Sequence, residues 1–134
     1  MNNNPLRVQV RTAAPDLIVE AEAVRIGTDL LVWIWGGERP HIGAVAAAQP
    51  RPSLRDPART SATASVLTFV GHKEDEVVKM AAERLAAALG THVVVAAGMH
   101  WDGLSADMLA VIRNRCTEVV DRLLQAVTPS GRPA

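Results

Sequence analysis

The feature that most constrains the fold is a change of hydrophobic period part-way along the chain. Residues 6–11 and 17–26 alternate apolar and polar side chains, the period of half-buried strands. Residues 74–89 and 105–127 instead place apolar side chains at helical spacing, with Gly90 ending the first helix and Ser105 capping the second. The sequence therefore predicts an α+β fold, with two long helices in the second half of the chain.

Turn residues divide the strand-forming part into separate elements. The run 30–35 is continuously apolar and ends at Gly36-Gly37, so it is predicted as a strand buried on both faces. Further strands are predicted at residues 42–48, 64–70 and 92–97, and the strand–helix–strand order of the last two implies a right-handed crossover between parallel strands. One domain is expected over residues 1–128, followed by a flexible tail at residues 129–134.

Residues 49–62 differ in composition from the rest of the chain. They hold three prolines and three arginines, at positions 50, 52, 57 and 51, 55, 59. Because proline removes backbone donors, the segment is predicted as a loop. A loop this long in a compact domain is usually functional or disordered, so a disordered segment and a functional lid both stay open.

Composition excludes several functional classes. Fourteen basic residues balance fourteen acidic ones, and the aromatic residues are three Trp and one Phe, which argues against a nucleic-acid partner. No uncharged apolar run reaches the roughly 20 residues that cross a bilayer, and the first residues show no signal-peptide pattern. The lone Cys116 lies on the apolar stripe of the last helix, which predicts a core residue. We expect a cytoplasmic protein with no membrane segment.

Three histidines, His41, His72 and His100, each fall just beyond a predicted strand and close to glycine. Because open sheets bind ligands at strand ends, the three predict one shared pocket, although each ring could instead satisfy a loop carbonyl. They could ligate zinc, but the close ligand pairs typical of zinc sites are missing, so no metal is predicted. His100 with Asp102 could also form an acid/base pair.

Two further features suit a phosphorylated aromatic ligand. Gly71-His72-Lys73 stands where a helix begins, and the free N–H groups there can hold a phosphate beside the Lys73 charge. Trp33 and Trp35 lie two apart on one side of a strand, where they fill a core or form a flat wall for a ligand or partner. Trp101 is the tryptophan predicted to contact a flavin-like ring.

Residues 36–45 (GGERPHIGAV), 71–76 (GHKEDE) and 97–102 (AGMHWD) resemble three signature blocks of one family. That family is the prenylated-flavin chaperones, the small accessory proteins associated with UbiD-type hydroxyarylic-acid decarboxylases. The resemblance extends from about residue 17 to residue 127. It implies a mainly antiparallel sheet of about six strands packed by two helices, as in proteasome-assembly chaperones.

The resemblance also implies a non-catalytic carrier that binds prenylated FMN, or FMN, and helps to deliver it to the decarboxylase from the flavin prenyltransferase. Trp101 replaces the smaller apolar residue expected at its position. The cofactor-binding residues that the resemblance and the sequence together predict are Gly37, Arg39, Pro40, His41, Gly43, Gly71, His72, Lys73, Glu74, Asp75, His100, Trp101 and Asp102.

Two alternative functions stay open at this stage. One is a cofactor-free protein-interaction subunit of a decarboxylase. The other is a small metal-dependent or acid/base enzyme that uses His41, His72, His100 and Asp102. A homodimer is expected whichever function holds, because the apolar strand 30–35 and the long last helix offer more apolar surface than a small monomer covers.

Overall fold

The computed structural model describes residues 6–69 and 74–128, which form six strands and two helices. In chain order these are β1 (Arg7–Arg11), β2 (Val19–Ile26), β3 (Asp29–Gly37), β4 (Ala44–Pro52), β5 (Thr60–Thr68), α1 (Asp75–Leu89), β6 (Val93–His100) and α2 (Ala106–Val127). The strands form one sheet in the order β1-β2-β3-β6-β4-β5. Four neighbouring pairs are antiparallel and β3–β6 is parallel, which confirms the predicted α+β fold with a mainly antiparallel sheet.

Strand β6 is inserted between β3 and β4, two strands that follow each other in sequence. The connection at residues 38–43 must therefore cross the carboxyl end of β6. Helix α1 does link two strands of the same direction, β5 and β6, as the sequence predicts. These strands are not adjacent, because β4 lies between them and pairs antiparallel with both.

Both helices pack on one face of the sheet, and this corrects the prediction for β3. Leu30, Val32 and Ile34 are buried beneath the helices, whereas Trp33 and Trp35 lie half-buried on the opposite face. The all-apolar composition of this strand hides its alternation, so the prediction of burial on both faces was wrong. We call the helix-free side of the sheet the open face.

The proline-rich segment is also different from the prediction. Strand β4 continues to Pro52 and β5 begins at Thr60, so residues 49–52 pair with residues 60–63 and only residues 53–59 form the connection. The prolines are tolerated because β6 pairs with β4 only as far as Ala48, which leaves Pro50 and Pro52 with a strand neighbour on one side. The prediction of a loop over residues 49–62 is wrong.

The helix boundaries follow local chemistry. Gly90 adopts a left-handed conformation at φ 64°, and its N–H donates to the Ala86 carbonyl at the end of α1. The Ser105 hydroxyl accepts a hydrogen bond from the Met108 N–H at 3.2 Å, as expected of an N-cap.

Cys116 is 1% exposed in the apolar face of α2, which confirms its prediction as a core residue. In the described residues neither helix is both long and apolar enough to span a bilayer.

Candidate functional site

The connection between β3 and β4 lies directly on the carboxyl end of β6. Glu38 N–H donates to the His100 carbonyl at 2.8 Å, and Gly43 N–H donates to the Ala97 carbonyl at 2.9 Å. A Cβ atom on Gly98 would lie 1.9 Å from the His41 carbonyl oxygen. Gly98 therefore provides room for the crossing chain, and its lack of a side chain serves backbone packing rather than the approach of a ligand.

The imidazole of His41 is held between two oxygens. Its Nδ1 lies 2.9 Å from the Arg39 carbonyl oxygen, and its Nε2 lies 3.1 Å from Glu74 Oε1. A carbonyl oxygen only accepts, so Nδ1 carries a proton. The contact at Nε2 is then favourable when His41 is an imidazolium, or when the proton is on Glu74. His41 Nε2 and Glu74 Oε1 are consequently joined through one proton.

The Glu74 side chain also completes the backbone bonding of β6. Strand β4 begins at Ala44 opposite Ala97, so it does not reach the Met99 N–H, which donates instead to Glu74 Oε1 at 3.2 Å. The Glu74 side chain is only 10% exposed, and its Oε2 is buried with no hydrogen-bond partner in the described residues. By contrast, Asp75 and Glu76 in the first turn of α1 are exposed.

A second carboxylate cluster lies at the surface beside this pair. His100 Nε2 is 2.9 Å from Asp102 Oδ1, and Arg39 Nη2 donates to the same oxygen at 3.1 Å. Hydrogen bonds with His100 and Glu38 and the charge of Arg39 lower the pKa of Asp102 below its usual value. A lowered carboxyl pKa stabilises the fold at neutral pH, and this contribution is lost as the pH falls through the lowered pKa. Because Asp102 is exposed, the contribution is small.

Trp101 packs against the glycine pair at the end of β3. Cβ atoms added to Gly36 or Gly37 would each approach the indole ring to 3.0 Å, and Gly37 also has a φ of +83°. The pair therefore accommodates a tryptophan of the same chain, and Gly37 further requires a left-handed backbone conformation. The rest of the Trp101 ring faces a cavity between the helices.

Two cavities flank the His41–Glu74 pair. The helix-side cavity, of about 490 Å³, lies between α1 and α2, with a mainly apolar lining that includes Glu74, Met80, Met99, Trp101, Leu104 and Ile112. The open-face cavity, of about 460 Å³, lies on the other side of the sheet and is lined by Trp33, Trp35, Pro40, His41 and Ile42 with their neighbours. Both volumes fall in the range of roughly 300–1,000 Å³ typical of small-molecule sites. His41 reaches one cavity and Glu74 the other.

The structure brings together many of the predicted site residues. Arg39, His41, Glu74, His100, Trp101 and Asp102 gather where residues 38–43 cross β6. The two histidines pair with different carboxylates. Gly71, His72 and Lys73 lie outside the described residues, so the predicted three-histidine pocket and phosphate site stay predictions. In residues 6–69 and 74–128 no group of three or more His, Cys, Asp or Glu side chains is arranged to hold a metal ion.

The arginines near the proline-rich segment lie at the opposite end of the sheet. The Ala44 end of β4 lies beside the crossing at residues 38–43, and its Pro52 end is roughly 25–30 Å away at the rise of an extended strand. Arg51 there bonds to the Thr63 hydroxyl and the Pro52 carbonyl. An arginine at this end of β4 is therefore too far from His41 to hold the phosphate of a ligand bound there.

A family model for the prenylated flavin chaperone LpdD-like domain matches residues 13–128. The chain belongs to this prenylated-flavin chaperone family. The match covers most of the chain and includes every element from β2 to α2. The resemblance read from the three sequence blocks is thus confirmed. No curated protein matches the chain.

The prenylated-flavin chaperone domain shares its fold with another group of chaperones. A chain from the crystal structure of a chaperone complex for yeast 20S proteasome assembly has a TM-score of 0.56 and 9% sequence identity. The match covers 92% of this chain and 98% of that chain. The likeness concerns the fold, and it confirms the predicted proteasome-assembly-chaperone-like architecture.

Sequence reasoning missed most of the helix-side cavity in this chaperone domain. Ile112 was predicted only as part of the apolar stripe of the last helix, and no ligand contact was predicted for Met80, Met99 or Leu104, which line the cavity with it. Cys116 also reaches the cavity, and burial raises the pKa of its thiol to about 12. The thiol therefore stays protonated at neutral pH and serves as lining rather than as a nucleophile. The sequence signal that could have indicated this cavity is the pair Met80 and Met99, which lie on separate elements, because flexible thioether side chains suit adaptable apolar binding sites.

Proposed function

We propose that this chaperone binds prenylated FMN in the helix-side cavity and transfers it to a UbiD-type decarboxylase without performing chemistry on it. The observation that carries the proposal is an apolar cavity of about 490 Å³ walled by Trp101, with a buried carboxylate at its edge. Flat aromatic ligands are held by such walls, and a few polar groups fix their orientation. The family match supports the same ligand class.

Seven of the predicted cofactor residues have one of three roles in the cofactor site under this proposal. Trp101 and Glu74 contact the ring system, and His41 holds Glu74 in place from the other side. Gly37, Gly43 and Pro40 shape the crossing on which that arrangement depends. Lys73 and the start of α1 hold the phosphate, a role that rests on the sequence alone.

The exposed cluster of Arg39, His100 and Asp102 suits contact with a partner more than capture of the cofactor. Its charged groups are already paired with one another, and they lie at the surface beside the proposed site. Charged surface groups of this kind influence association rate and orientation. We propose that the UbiD-type decarboxylase docks here, and that a flavin prenyltransferase supplies the cofactor.

A transfer experiment tests the carrier function. The chaperone loaded with prenylated FMN is mixed with apo-decarboxylase, and the gain of decarboxylase activity is followed over time. Activation should be faster than with free prenylated FMN at equal concentration in air, because the cavity shields the ring until transfer. Equal or slower activation with a loaded chaperone would contradict delivery and would favour a storage role.

We also propose that the protein forms a homodimer, and the apolar open face supports this. Ile42 is 61% exposed and Leu67 64% exposed, and Leu31, Trp33 and Val94 lie on the same face of the sheet. We propose that a second copy of the chain covers this face, as sheets pack in sandwiches. Sedimentation equilibrium should give twice the chain mass, and Trp33→Glu should shift it to the monomer. A monomeric parent protein would overturn the homodimer.

A further inference from the structure

One oxygen of the Glu74 carboxylate has no hydrogen-bond donor in the described residues. Oε1 is already engaged by the Met99 N–H at 3.2 Å and by His41 Nε2 at 3.1 Å, whereas Oε2 is buried with no partner in the described residues. A buried carboxylate oxygen without a donor is unfavourable because it has lost its water. Glu74 lines the cavity, so a ligand bound there can supply the missing donor.

The surroundings of Glu74 define what kind of ligand this is. The other polar side chains of the cavity, Glu76, Arg113 and Thr117, are exposed at its edge, while its interior is formed by apolar and aromatic side chains. A flat heteroaromatic ring with an N–H group on its perimeter can pack against the apolar interior and also donate a hydrogen bond to Glu74. An anionic or donor-free edge would be repelled by the carboxylate.

We propose that Glu74 Oε2 accepts a hydrogen bond from the imide N–H of the flavin pyrimidine ring, the N3–H, and thereby fixes which edge of the cofactor enters the cavity. This inference rests on the proposed function, since it assigns the orientation of the same cofactor. The Met99 N–H and the His41 ring fix the carboxylate from behind. Glu74 is therefore a binding residue, and His41 is a positioning residue that acts through it.

The decisive variant is Glu74→Gln. Its amide oxygen still accepts from the Met99 N–H, so its NH₂ group takes the place of Oε2. The NH₂ group would then face the flavin N3–H, and two donors cannot form a hydrogen bond with each other. Affinity for prenylated FMN, measured by fluorescence titration, should fall roughly 10- to 100-fold, the range for loss of a hydrogen bond to a charged group. Asp107→Asn is the matched control, because it removes the same charge from an exposed residue in the first turn of α2, outside the proposed site. Its affinity should stay within about twofold of the parent.

A modified ligand tests the same contact without changing the protein. N3-methylated prenylated FMN lacks the donor, so the parent protein should bind it at least about tenfold more weakly than prenylated FMN. Glu74→Ala removes the acceptor and makes room for the methyl group, so it should bind the two flavins equally. If Glu74→Gln does not fold, the affinities of the parent protein for prenylated FMN and for its N3-methylated form still test the Glu74 contact.

The outcomes separate the inference from the function on which it rests. Equal loss of affinity in Glu74→Gln and Asp107→Asn, or equal binding of both flavins by the parent, would overturn the Glu74 contact while leaving flavin binding intact. A parent protein that binds neither flavin would overturn the proposed function itself, and the contact with it.

Discussion

Gly98→Ala should destabilise the fold by about 3 kcal/mol, the upper end of the usual range for overpacking. The added Cβ would lie 1.9 Å from the His41 carbonyl oxygen and 2.4 Å from its carbonyl carbon. These are backbone atoms of the crossing at residues 38–43, which is held on β6 by hydrogen bonds at both ends. The clash therefore cannot be relieved by rotating a side chain, and the crossing must lift away from the sheet.

Urea unfolding of the parent and of two variants measures this effect. Gly103→Ala is the matched control, because a Cβ there meets nothing within 4 Å and only the φ of +67° is unfavourable. It should lower the free energy of unfolding by about 1–2 kcal/mol. If Gly98→Ala were no more destabilised than Gly103→Ala, the chain would not cross β6 at that contact distance, and the described site would be wrong.

Trp101→Ala should weaken the binding of prenylated FMN by roughly 10- to 100-fold, as expected for the loss of one aromatic stacking wall. The ring forms one side of the helix-side cavity and is itself supported by Gly36 and Gly37. Trp33→Ala is the control for the other cavity, since Trp33 lines the open-face cavity on the far side of the sheet. Its affinity should remain close to that of the parent protein.

A third variant in the same titration shows whether Trp101→Ala weakens binding through the loss of stacking or through a loss of protein stability. Trp101→Phe keeps an aromatic face, so it should recover most of the affinity, and the titrations are run well below the unfolding temperature of each variant. If Trp33→Ala lost the affinity and Trp101→Ala kept it, the flavin would bind in the open-face cavity instead. That result would also remove Glu74 Oε2 from contact with the ligand.

The fold class was predictable because hydrophobic periodicity and helix-boundary residues are local features of the sequence. The change from strand period to helical spacing located both helices, and Gly90 and Ser105 marked two of their boundaries. The insertion of β6 between β3 and β4 could not be read in the same way, because it depends on pairing between residues far apart in sequence. The proline-rich β4–β5 ladder was missed because prolines are tolerated only where a neighbouring strand is absent, and that is a property of the sheet.

The candidate site was predictable in position more than in detail. His41, His100 and Trp101 do lie at the carboxyl end of β6, where glycines allow close backbone packing. These glycines pack against parts of the same protein: Gly98 contacts the backbone of His41, and Gly36 and Gly37 contact the Trp101 ring. The role of Glu74 was hidden, because an acidic residue just before a helix ordinarily faces solvent near the helix dipole. Its burial follows from the Met99 N–H beyond the β4 ladder, which no local pattern encodes.

The measurement that tests the central claim most directly is the absorbance and mass spectrum of the protein after co-expression with an active flavin prenyltransferase. The carrier function predicts a bound flavin with the mass of prenylated FMN, retained through gel filtration at close to one per chain, and lost in Trp101→Ala. A colourless, flavin-free protein from cells that contain prenylated FMN would contradict cofactor binding. The chain would then be a cofactor-free interaction subunit.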